Sequence, residues 1–197
     1  LLLENEAGRL VGGVTAQYGT VSSSIWSPYG IGVIDTTGYG VGATLTWYGE
    51  NGFYMDGQAQ VTWYDSDLLS ATAGRSLVKG NGGMGYGFSI EAGQRLTLSE
   101  NWSLTPQAQL AYSSVDFDRF TDAFGANVSL GSSESLIGRL GLAVNHDTEW
   151  QEQDGSTSRA HVYGIANLYY DFGDGSVVDV AGTGFSSGDS QLHGGLG

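Results

Sequence analysis

The sequence predicts an all-β fold, an antiparallel β-barrel that crosses a membrane, and three observations predict it. Apolar residues recur at every second position through seven successive segments. The connections between those segments alternate between long and short. Charged residues make up only 14% of the 197 positions, against about 25% in an ordinary soluble domain.

A period of two sends successive side chains to opposite faces of a strand. In a soluble β-sandwich the apolar face meets a second sheet. In a membrane barrel it meets lipid, and the polar face lines the lumen. The sandwich has no reason to keep long and short connections in alternation, whereas a membrane barrel has short turns on one side and long loops on the other. Segments longer than the ~5–6 residues of a typical strand also suit the ~9–11 needed to cross a bilayer at a tilt.

Along the chain, residues 9–22 put Leu10, Val14, Ala16 and Tyr18 on one face, and residues 23–37 read as a long loop. Residues 38–48 turn Val41, Leu45 and Trp47 to lipid, and a tight turn at 49–52 follows. Residues 52–64 turn Phe53, Val61 and Trp63 to lipid and Asp56, Gln58 and Gln60 to the lumen. After a glycine-rich loop over 68–84, residues 85–98 place Phe88 and Ile90 outside, with Glu91 and Arg95 opposite. A turn at 99–101 precedes residues 102–117, where Leu110 faces lipid and Gln107 and Gln109 face the lumen.

A long loop over 118–134 leads to residues 135–150, with Leu140 and Leu142 outside and Arg139 inside. A turn leads on to residues 159–172, with Leu168 outside and Asn167 inside. Residues 173–191 read as a loop carrying a short strand at 177–183, and His193 opens the start of another strand. Aromatic residues gather near strand ends (Tyr39 with Trp47, Phe53 with Trp63), as in an interfacial girdle.

Several function classes are excluded or weakened. A net charge of −14 with seven Lys and Arg lacks the basic footprint that nucleic-acid binding needs. Zero cysteines remove disulfides, thiol catalysis and thiolate zinc sites. His146, His161 and His193 have no ligand spacing, so neither a metal nor a cofactor is expected. GFSSG at 184–188, near Asp189 and His193, fits a nucleophile-elbow pattern but lacks the strand-to-helix turn which that chemistry requires. The glycine runs at 38–43 and 83–88 open strands and not helices, so they are read as wall packing and not as phosphate loops. The acidic pairs in DSD (65–67) and DFD (116–118) are read as solvated loop carboxylates.

The succession GYGVGATLTWYGENGFYMDGQAQVTWYDSDL, SIEAGQRLTLSENWSLTPQAQLAYSSVDFDRFTD, SLIGRLGLAV and HVYGIANLYYDF resembles, in order and over nearly the whole chain, the C-terminal β-domain of monomeric autotransporters of type V secretion. The resemblance implies a twelve-stranded barrel in the Gram-negative outer membrane. It further implies an α-helix in the lumen, passage of an upstream passenger to the cell surface, and insertion by the barrel-assembly machinery. Against that pattern, residues 1–197 read as an incomplete barrel domain without its first strands, lumen helix and last strands.

The expected role is a non-enzymatic translocator. Asp56, Glu91, Arg95, Arg139 and, as a weaker candidate, Asp179 are read first as ion pairs that hold lumen geometry, and second as contacts to a lumen helix or tuners of the pore. The alternatives are a general porin or structural barrel, and a barrel that releases its passenger autoproteolytically with Asp56 and Glu91 as acid or base.

Overall fold

The computed structural model describes residues 2–28, 30–129, 132–152, 156–173, 176–180, 183–187 and 192–197. Among them the regular structure is strand throughout. In chain order the strands are β1 (Leu2–Asn5), β2 (Gly8–Ser27), β3 (Gly30–Gly49), β4 (Phe53–Ser70), β5 (Arg75–Gln94), β6 (Leu96–Thr97) and β7 (Trp102–Phe117). They continue as β8 (Phe120–Thr121), β9 (Asn127–Ser129), β10 (Ser132–Gln151), β11 (Thr157–Asp171), β12 (Ser176–Val180), β13 (Thr183–Ser187) and β14 (Leu192–Leu196). One antiparallel sheet follows chain order as β1-β2-β3-β4-β5-β7-β10-β11-β14, with β6 on β7. Its seven long members are the seven dyadic segments; β1 and β14 are its edges among the described residues.

Two expected loops are strands instead. Residues 23–37 pair with one another as the upper halves of β2 and β3, up to Ser27 opposite Gly30. Residues 68–84 likewise form the tops of β4 and β5 around a four-residue turn closed by Gly74 at φ 63°. The serines and glycines of these stretches resemble loop composition, but in a hairpin cross-strand hydrogen bonds satisfy their backbone. The long connections are therefore tall hairpins. Strands of 18–20 residues are about twice the ~9–11 that a bilayer requires, so their upper parts rise beyond it.

The third expected loop, 118–134, contains β8 and β9, and β10 begins within it at Ser132. The short strand expected at 177–183 is shifted to β12, with β13 after it. These pieces form a second sheet of order β13-β12-β9-β8.

The distribution of burial is inverted relative to a soluble domain. Thr62, Ser66, Asn81, Ser103 and Thr105 on one face of the main sheet are between 3% and 8% exposed. The buried hydrophobic side chain among the described residues is Ala143, on that same face. The opposite face exposes Val14, Tyr18, Val41, Phe88, Leu140 and Leu168. Ser114, 5% exposed, is also buried, on the opposite face between Tyr86 and Glu134. In a single-layer sheet the concave face buries more side chains, by crowding neighbours together. The polar face is thus the inner wall and the apolar face the outer one.

Candidate functional site

The inner wall is organised around Arg139. Glu91 of β5, Gln109 of β7 and Arg139 of β10 stand in one register row, so the three side chains meet side by side. Arg139 donates from Nη2 to Glu91 Oε2 at 2.5 Å, from Nε to Gln109 Oε1 at 3.0 Å, and from Nη1 to Asn167 Oδ1 at 2.9 Å and Gln107 Oε1 at 3.4 Å. Tyr54 donates its hydroxyl to Glu91 Oε1 at 2.5 Å. Both carboxylate oxygens of Glu91 are therefore engaged. The guanidinium and carboxylate are 12% and 18% exposed, dry enough for the pair to be strong and for either partner alone to be costly.

Two glycines make this packing possible. A Cβ at Gly93 would stand 2.6 Å from the Tyr54 ring. One at Gly141 would stand 2.6 Å from Asn167 Oδ1 and 3.3 Å from Arg139 Nη1. Here glycine supplies space and not turn geometry.

Asp56 lies directly across from Glu91. It accepts from Thr46 Oγ1 at 2.5 Å and from Gln58 Nε2 at 2.8 Å. Gln60 stands in the same inward column, between Gly42 and Gly87. Above it Gln17 donates to Thr62 Oγ1 at 2.9 Å, bridging over Gly40.

Arg95 does not join Glu91. It sits at the short-turn end, where it donates to Ser103 Oγ at 3.1 Å and pairs with Asp147 at 3.2 Å; Asp147 also meets His161 Nδ1 at 2.6 Å. Asp147 and His161 stand opposite each other one row past Trp102, the aromatic residue that ends the apolar band on β7. The His161 hydrogen bond holds the Asp147 carboxyl below the usual carboxylate range; desolvation opposes it, and the charges of His161 and Arg95 add smaller lowering effects.

The outer face gathers the apolar residues. Val41 opposes Val61, Leu45 opposes Gly57, Ile90 opposes Leu110 and Leu140 opposes Leu168. Phe88 stands beside Tyr112, and Leu142 beside Pro106 and Ala166. Trp47 packs on Phe53 at 5.9 Å at the turn end, and Tyr39 stacks on Trp63 at 5.8 Å at the other end.

Alternation puts Tyr54 with Asp56, Thr46 and His161 on the polar faces of their strands; sequence reading missed Gln17 and Asp147, and the partners that each of the five finds across strands. Of the three histidines, His146 packs at a tilt on Trp102 at 4.4 Å and His193 stands opposite Tyr169, so they are dispersed. Among the described residues no cluster could hold a metal ion. In the 184–188 pattern, Gly188 and the nearby Asp189 lie outside the described residues.

The family model described as the autotransporter β-domain matches residues 3–196. The adhesin BmaC autotransporter of Brucella suis is 55% identical over 197 residues, which are 100% of this chain and 6% of that protein. The pertactin autotransporter of Bordetella parapertussis is 34% identical over 110 residues, 55% of this chain and 12% of that protein. The chain thus spans only a small part of these relatives. Among solved structures, the β domain of the Bordetella autotransporter BrkA superposes with a TM-score of 0.66 at 20% identity, covering 91% of this chain and 70% of that one. The transport unit of AIDA-I from Escherichia coli superposes with a TM-score of 0.72 at 18% identity, covering 99% of this chain and 63% of that one.

Proposed function

The chain belongs to the autotransporter β-domain family, and on that premise we propose that it works as a translocator barrel supporting export of a passenger polypeptide to the cell surface. Autotransporter β-domains are β-barrels of the Gram-negative outer membrane. The observation that carries the reading is the inverted wall. An apolar outer band suits lipid, and an inner face of Gln, Thr, Asp and an internally satisfied Glu91–Arg139 pair suits a hydrated passage.

Residues 1–197 are proposed as a contiguous part of a twelve-stranded barrel. Its partners would be the bilayer, the passenger or a helix within the lumen, and the barrel-assembly machinery. The role is non-enzymatic. Relatives are autotransporter adhesins, and Glu91 has both oxygens committed to Tyr54 and Arg139, which supports a structural use over acid–base work.

The test is surface display from the full gene product in a Gram-negative host. Export predicts that protease added to intact cells removes the passenger, and that deleting β4 and β5 leaves the passenger inside. A passenger that reaches the surface without those strands would remove the reading. Large open-channel currents from the native, passenger-bearing protein would favour a porin.

A further inference from the structure

Glycine inside a strand needs a reason, because it has no side chain to pack and weakens the strand. Within the apolar band, two outward glycines among the described residues have a paired residue on each side, Gly57 of β4 and Gly138 of β10. Gly138 has its reason inside the protein, since a Cβ there would meet the Phe172 ring at 3.0 Å. Gly57 has none. A Cβ there would find nothing nearer than the Leu45 carbonyl oxygen at 3.9 Å. Its φ is not positive, and its register with Leu45 and Ile90 is unbroken. What remains is close approach by something outside the chain.

The space over Gly57 is a shallow apolar pocket. Ala43 and Ala59 continue its floor, Leu45 forms one wall, and Phe88 and Ile90 form the other. Tyr112 closes it towards the loops. Past Tyr112 the outer face turns polar. The Tyr86 ring lies 6.1 Å from that of Tyr112, and Ser114, 5% exposed, stands between Tyr86 and Glu134. Trp63 of β4 shares a row with Met84 and Asp116, yet on β7 the apolar band already ends at Tyr112, nearer the turns. The strands therefore tilt, and a line along the membrane normal runs from Gly57 over Phe88 towards Ser114 and Glu134.

We propose that the outer wall seats one lipid here, with an acyl chain over Gly57 and an amine-bearing headgroup at Tyr112, Ser114 and Glu134. The inference rests on the membrane-barrel assignment and not on export. Two observations select the occupant. The pocket is continuous with the apolar band, and its walls at Leu45 and Ile90 are two strand spacings apart, about 9.5 Å between backbones, which suits a hydrocarbon chain between the side chains. A pocket this small is far below what a protein partner buries. At the polar end, Glu134 and Asp116 are exposed and enter no ion pair among the described residues, while Arg9, Arg139 and Arg159 of the wall stand on the inner face. An amine is attracted there and an anionic headgroup is repelled.

The test uses the full gene product in vesicles of equal parts phosphatidylethanolamine and phosphatidylglycerol. A trace of one or the other lipid carries a photoreactive diazirine in its acyl chain. Adducts from the ethanolamine lipid should concentrate on residues 43–45, 57–59 and 88–90, several-fold above those from the glycerol lipid. Glu134→Gln should bring the two headgroups level. Labelling spread evenly over the outward strands, or equal labelling by both headgroups in the unsubstituted protein, would overturn the proposal.

Independently, Gly57→Leu fills the floor and should remove most of the concentrated labelling, while the heat-resistant folded form shows that the barrel is intact. Unchanged labelling would overturn the proposal. If Gly57→Leu does not assemble, Gly57→Ala places one methyl group in open space and supplies the same readout. Absence of label from every outward strand would instead sink the facing of the wall itself.

Discussion

Tyr54 reaches diagonally across the β4–β5 pair and donates its hydroxyl to Glu91 at 2.5 Å, its ring lying over the position of Gly93. The strand opposite is glycine at the one place where any side chain would displace the ring. Gly93→Val should therefore destabilise the barrel by about 1–3 kcal/mol through overpacking. Tyr54→Phe, which leaves Glu91 its arginine, should cost only about 1 kcal/mol. Both are read from the temperature at which the folded form is lost on a semi-native gel. Equal effects would show that the hydroxyl, and not the ring's space, is what matters.

The Glu91–Arg139 pair makes a sharper demand. Arg139→Met strands a carboxylate that is 18% exposed, and Glu91→Met strands a guanidinium that is 12% exposed. A fully buried pair broken on one side costs about 3–5 kcal/mol, and partial contact with the lumen brings the figure below that. The double variant should recover much of the loss, because no charge is then left alone. Urea unfolding of the three variants in lipid vesicles checks this; simple additivity would mean that the two residues act separately.

The Asp147 carboxyl, held low first by His161 and then by Arg95, gives an acid-side dependence. A carboxyl with a lowered folded pKa stabilises the fold above its unfolded value of about 3.9, and that stabilisation is lost as pH falls through the folded value. The turn end of β10 and β11 should hold its hydrogen-exchange protection from pH 7 to about 5 and lose some below about 4. Asp147→Asn should remove this acid-side change; a variant with the same low-pH loss as the parent would exclude Asp147 as its source.

Period-two alternation made the seven strands and their facing legible, because it survives wherever one face meets lipid and the other water. It failed above the membrane for a physical reason. There apolar residues fall on both faces, Val21, Ile25 and Ile34 inward and Trp26, Ile31 and Val33 outward, so no period of two survives and residues 23–37 read as a loop. Glu91 and Arg139 were legible as inward charges, and their meeting followed from a register that one sequence does not encode. Arg95 shares their parity but finds other inward partners. Its strand ends at Gln94, after which its backbone donates to Gly52 and its side chain swings to Ser103 and Asp147.

The facing of the wall can be tested by moving one charge. Leu140 is 63% exposed on the outer face, midway along the apolar stretch of β10, while Gln58 is on the inner face beside Asp56. Leu140→Arg places a guanidinium in hydrocarbon and should cost about 2–4 kcal/mol near the bilayer midplane. Gln58→Arg adds the same group to the hydrated side, within reach of Asp56, and should change stability by less than about 1 kcal/mol. Reversible unfolding in lipid vesicles reads both. In detergent with shorter apolar chains the Leu140→Arg penalty should shrink while the Gln58→Arg value stays put, since only the first depends on the depth of hydrocarbon outside. Equal penalties at the two sites would show that this part of β10 does not face lipid.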